Sequence, residues 1–187
     1  MQSSRPWQNG WGMREVWHDS AMYWVRAAIE AQPEMVQELV SAGRERLGDA
    51  QAVLTGGSAT GSVYLAGFGV EMVMKHAALR AAGFRPDAIV RDSLALARGR
   101  LEKWLGPVDH ESYHSLEFWA LLLRETFRHR KGNVPAHIAQ AVKRACHLHQ
   151  GWLVDLRYHS GMVSVADARE FLLAASWFGA KAHELWR

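Results

Sequence analysis

The sequence predicts an all-α protein, an up-down bundle of six or seven helices. Three observations carry this expectation. Every strong apolar period is helical, no alternating run is bounded like a strand, and Gly and Pro punctuate the chain at helix-length intervals. Connections of a few residues favour antiparallel neighbours.

The elements follow in order. Asp19 to Gln32 reads as a short helix stopped by Pro33. That proline is then expected to open a second helix, with Met35, Val36, Leu39, Val40 and Leu47 on one side and Gly56-Gly57 ending it. A third, from about Ser62 to Ala82, is apolar on most of its circumference, which predicts a buried central position. Gly83 caps it. Pro86 is expected to start a fourth helix, with Ile89, Val90, Leu94, Ala97, Leu101, Trp104 and Leu105 facing inward. After Gly106-Pro107 a fifth starts near Asp109 or Ser112 and carries Leu116, Trp119, Leu122, Leu123 and Phe127 to Gly132-Asn133. Pro135 opens a sixth with Ile138, Val142, Ala145, Leu148, Trp152 and Leu156. Ser164 caps a seventh, helped by Asp167, with Phe171, Leu172, Ala175, Phe178 and Leu185 inward.

At 187 residues the chain is long enough for one well-buried core. The formal charge of +3 permits an anionic partner without demanding one, because the basic residues are spread along the chain. A single cysteine, Cys146, excludes an intrachain disulfide and fits a reducing compartment. No signal-like h-region and no apolar run of membrane-spanning length is present, so the expected location is the cytoplasm. Nine tryptophans are many for this length, and Trp7, Trp11, Trp17 and Trp24 crowd the start. Residues 1–18 are read as a tryptophan-rich arm and 19–187 as one helical domain. The arm either docks on another subunit or folds back on its own bundle.

Several clusters could carry chemistry. His110-Glu111-Ser112-Tyr113-His114 matches H-E-x-x-H, where two histidines one turn apart bind zinc and the glutamate acts as base. Gly106-Pro107 just upstream would leave the first histidine at a fraying helix end, and no third ligand is specified. A zinc hydrolase therefore stands behind the other readings, and no metal or cofactor is expected. Cys146, His147 and His149 lack a matching second half-site. Glu71 and Lys75 form an i,i+4 pair on an apolar helix, where a retained charge has a partner or a task. Arg124 and His129 fit an R-x4-H spacing. An arginine and a histidine suffice for metal-independent RNA cleavage, one holding the phosphate and the other moving a proton.

With these residues in view, the chain from about Leu39 to Trp186 resembles the HEPN family (higher eukaryotes and prokaryotes nucleotide-binding domain). The resemblance lies in Tyr64, Gly67, Glu71 and Lys75 on one helix, then His114 and Leu116, then Arg157-Tyr158 before the last helix capped by Ser164. It implies a four-helix core, a homodimer, and a cleft that binds RNA or a nucleotide. Residues Arg157, Tyr158 and His159 would line that cleft, with Glu71 and Lys75 close by. Arg157 would hold phosphate, Tyr158 would stack on a base, and His159 would act as the base if cleavage occurs. One departure concerns catalysis: Met162, Val163 and Ser164 stand where the family's ribonuclease motif has a histidine. Arg124 and His129 are the reserve pair, although the family places its motif near the start of the last core helix.

The expected function is thus an RNA- or nucleotide-binding module of a prokaryotic defence or toxin–antitoxin system, either a binder or a weak metal-independent ribonuclease. The alternative is a non-catalytic helical protein that partners a nucleotidyltransferase through its tryptophan-rich start.

Overall fold

In a computed structural model, residues 34–107, 113–152 and 154–187 are described, Arg157 by its backbone alone. They form six α-helices: α1 (Glu38–Thr55), α2 (Ala59–Ala81), α3 (Val90–Leu105), α4 (Leu116–Lys131), α5 (Ala136–Gly151) and α6 (Val165–Lys181). A short 3-10 helix, Val154–Tyr158, joins α5 to α6. The described residues contain no strand, only an isolated antiparallel bridge between Met35 and Ile89. None of their helices is long and apolar enough to cross a membrane. The chain divides into two units, Met1–Pro33 and Glu34–Arg187. The expected helix at Asp19 to Gln32 and the tryptophan-rich arm lie outside the described residues.

The centre of this helical bundle is α2, as its apolar circumference predicts. Val63, Ala66, Val70, Val73, Met74, Ala77, Ala78 and Leu79 are all buried, and α1, α4 and α6 pack around it. Small residues set the approach of α1. A Cβ on Gly43 would lie 2.8 Å from the Gly69 carbonyl oxygen and 2.9 Å from Val73, so the backbones of α1 and α2 nearly touch. Leu47, one turn along, fills the space beside Gly69 and also reaches α6, where a Cβ on Gly179 would meet it at 2.9 Å. Burying such leucines stabilises the bundle by roughly 2 kcal/mol each.

Helix ends follow local chemistry. At the end of α2, Phe84 N–H donates to Leu79 O and Gly83 N–H to Arg80 O, a Schellman closure that needs the positive φ of 89° at Gly83. Gly132, at φ 74°, ends α4 in the same left-handed region. Ser164 caps α6 as expected, accepting from Asp167 N–H.

Besides α2, which starts at Ala59 and not near Ser62, four boundaries differ from the expected ones. The chain after Pro33 does not enter a helix until Glu38, and the chain after Pro86 not until Val90. These two segments pair with each other instead: Val36 N–H donates to Ala88 O, Gln37 N–H to Pro86 O, and Val90 N–H to Glu34 O. Helix α4 begins at Leu116, later than Asp109 or Ser112, because Ser115 takes the cap position and accepts from Phe118 N–H. Helix α5 stops at Gly151, before Trp152 and Leu156, because Trp152 turns to an extended conformation and sends its ring into α2.

Candidate nucleic-acid interface

Trp152 joins the two segments that the sequence singled out. Its ring, 1% exposed, lies over Gly67, where an added Cβ would stand 2.0 Å from Nε1. Only glycine leaves that space. The indole N–H donates to the Tyr64 carbonyl at 3.2 Å, and Phe68 meets the ring edge-on at 5.4 Å. The chain that follows, Val154–Tyr158, is thereby held on the N-terminal half of α2. An indole with its N–H satisfied can be buried at no polar cost, which makes this contact a firm anchor.

Beside the anchor lies a cleft of about 620 Å³. One wall is the loop Gly56-Gly57-Ser58 and the first turn of α2, with Tyr64. The other runs from Leu156 through His159 and Gly161 to Val165. Thr60 Oγ1 accepts from Val163 N–H at 3.2 Å and ties the walls together. The first N–H groups of α2 have no intrahelical acceptor and carry the partial positive charge of the helix start, so this wall suits an anion. Tyr158 is 70% exposed and His159 is also exposed, so both can meet a ligand. Arg157 sits in the same 3-10 helix.

Glu71 and Lys75 share the face of α2 that carries Tyr64 and Gly67, but two to three turns further on, about 10–16 Å along the axis. They do not line the cleft. Glu71, 1% exposed, is held by Lys75 Nζ at 2.5 Å and by His114 Nδ1 at 3.1 Å from both oxygens. Lys75 also lies 5.5 Å from the centroid of the Trp119 ring. With Glu71 ionised, the His114 proton must sit on Nδ1, which leaves Nε2 as an acceptor when the ring is neutral. Sequence reasoning placed His114 in a zinc motif and in the family resemblance, and gave it no contact with Glu71. A buried acid on a neighbouring helix is invisible to local spacing.

The reserve pair lies elsewhere again. Arg124 Nε donates to Glu125 at 2.8 Å, Arg128 Nη1 lies 3.3 Å from the same carboxylate, and His129 Nε2 lies 3.9 Å away. His129 stacks on Trp104 of α3, with centroids 4.6 Å apart. Arg124 and His129 thus converge on one buried carboxylate, apart from the cleft that His159 lines.

Of the H-E-x-x-H match, His110 and Glu111 fall outside the described residues. Among the described residues no three His, Cys, Asp or Glu side chains gather as a metal site. Burial, and then Glu117, push the Cys146 thiol up, which disfavours the reactive thiolate. The glycine loop before α2, which the sequence reading took for a helix end, borders the cleft. Its signal was the run Gly56-Gly57-Ser58 directly ahead of a helix start, a pattern suited to phosphate. No family model, curated protein or solved structure matches the chain.

Proposed function

We infer that the protein is a HEPN-like module that binds single-stranded RNA or a nucleotide in the cleft at the start of α2. One observation carries the reading: the seating of Trp152 on Gly67 and Tyr64 brings together the two segments on which the resemblance rests. The helix start offers N–H donors to a phosphate, His159 stands on the opposite wall, and Tyr158, next to it in the chain, offers a ring for a base. Binding without cutting is the favoured form. The cleft pairs His159 with no carboxylate among its lining residues, and the reserve pair Arg124 and His129 is engaged by Glu125. The resemblance further implies a homodimer within a defence or toxin–antitoxin system. Exposed Met162 and Leu173, outside the lining of the cleft, support a self-associating face.

The test is RNA binding and cleavage in EDTA by the wild type and by Arg157→Ala, His159→Ala and His129→Ala. Arg157→Ala and His159→Ala are expected to weaken binding about tenfold each, the worth of one charge-assisted contact. His129→Ala leaves it unchanged. Equal binding by the first two variants, with the fold intact, would remove the site. Cleavage that depends on His159 would turn the binder into a ribonuclease. A Leu173→Asp variant that leaves the size measured by light scattering unchanged would argue against the dimer face.

A further inference from the structure

At the opposite end of α2 lies a second cleft, of about 290 Å³, between the last turns of α2 and α4. That is at the lower limit of the about 300–1,000 Å³ that small-molecule pockets span. Arg80, Arg130 and Lys131 line it together with Thr126, Phe127 and Trp186, and no carboxylate is among the lining residues. The simplest role for these cations is to satisfy main-chain oxygens. Arg80 Nη1 donates to Phe84 O at 2.7 Å, Arg130 Nη1 to Ala81 O, and Lys131 Nζ to Arg187 O. That role occupies one donor of each side chain. A guanidinium has five N–H groups and an ammonium three, so capping leaves most of them unaccounted for.

Two further observations point to a ligand. Thr126 is 1% exposed, stands in the cleft wall, and its hydroxyl has no hydrogen-bond partner. A buried hydroxyl without a partner is destabilising, and an anion oxygen would supply the missing acceptor. The Arg80 guanidinium is also held in place, its Cζ 4.8 Å from the centroid of the Trp186 ring. A cation fixed by an aromatic face loses little freedom when it binds. The charge of Arg80 is felt nearby. Burial first, and then Arg80 and Arg44, bring the His76 pKa down to about 4.

We propose that this cleft binds a small phosphate group, held by Arg80, Arg130 and Lys131 with the Thr126 hydroxyl donating to one oxygen. The phosphate is either free or the monoester end of a small metabolite. The site is separate from the RNA cleft, and neither depends on the other.

Calorimetric titration with inorganic phosphate, glycerol 3-phosphate and glycerol, none of which carries a base for the other cleft, tests the proposal, on the full chain. Wild type is expected to bind phosphate at millimolar concentration or better, and glycerol not at all. Tighter binding of glycerol 3-phosphate than of phosphate marks a monoester as the source, and equal or weaker binding marks the free ion. Thr126→Val keeps the shape and removes the hydroxyl. It is expected to bind phosphate about tenfold more weakly while its melting temperature without phosphate stays level or rises, because an unsatisfied group has gone. A Lys131→Gln variant loses affinity likewise, whereas His159→Ala binds phosphate as wild type does. Failure of the wild type to bind phosphate, unchanged affinity in Thr126→Val, or glycerol binding as well as glycerol 3-phosphate would each overturn it.

Discussion

The two ends of α2 make opposite use of one helix. At its start, unpaired N–H groups, a glycine loop and an exposed histidine border a wide cleft. At its finish, about 34 Å away for 23 residues, the carbonyls are already covered by Arg80, Arg100 and Arg130. An N-terminus offers backbone donors directly, so side chains there need add little charge. A C-terminus presents acceptors and partial negative charge, so any anion there must be held by cations that first cap the carbonyls. The comparison teaches that an anion at the start would be recognised by the backbone, and one at the finish by side chains.

The most damaging change lies between the ends. Glu71→Ala leaves Lys75, whose side chain is 12% exposed, without its buried partner. Breaking such a pair is expected to cost about 4 kcal/mol in urea unfolding and to affect both ends through loss of the helix itself.

Gly67→Ala separates the ends. The new methyl group expels the Trp152 ring, at a cost of about 3 kcal/mol. RNA binding should fall with the undocked 154–159 segment, while phosphate still raises the melting temperature through the far cleft. Loss of both responses would mean that the ends are not independent.

A pH titration probes the finish alone. The folded-state pKa of His76, about 4, lies below its ordinary 6.5, so between these values the unfolded chain binds the proton and the folded chain does not. Stability therefore falls as pH drops from 6.5 towards 4 and then levels off. With allowance for solvent screening the loss is about 2 kcal/mol. His76→Phe should flatten the wild-type profile by that amount in this window, as chemical denaturation at each pH would reveal.

The smallest effect is expected at Glu125. Its carboxylate is buried like that of Glu71, but its partners Arg124, Arg128 and His129 are 40%, 63% and 41% exposed. Water can serve them after Glu125→Gln, so about 1 kcal/mol is expected. A loss equal to that of Glu71→Ala would show that partner exposure does not govern the cost.

Much of this architecture was legible. The all-round apolar pattern of 62–82 placed α2 at the centre, and Ser164, Gly83 and Gly132 marked ends that the structure keeps. The prolines misled, because a proline that can open a helix can equally precede a paired extended segment, as near Met35 and Ile89. The site was harder. Tyr64 and His159 do border one cleft, but Glu71 is engaged by Lys75 and His114 instead. Spacing along one helix fixes a face and not which neighbour comes to it. The cluster at the end of α2 was missed for the same reason: Arg80 and Arg130 are fifty positions apart and meet only through tertiary packing.

The contact of Gly43 with Gly69 has a consequence for motion. The positions one turn either side of Gly43 are Leu39 and Leu47. Sliding α1 along α2 by one turn, about 5.4 Å, would press a leucine onto a carbonyl oxygen that has no room for a methyl group. Seating Leu47 between Gly69 and Gly179 adds a second stop from α6. The junction therefore works as a keyed joint. It resists sliding of α1 along α2, so adjustment to any ligand is expected in the loops and side chains at the two tips.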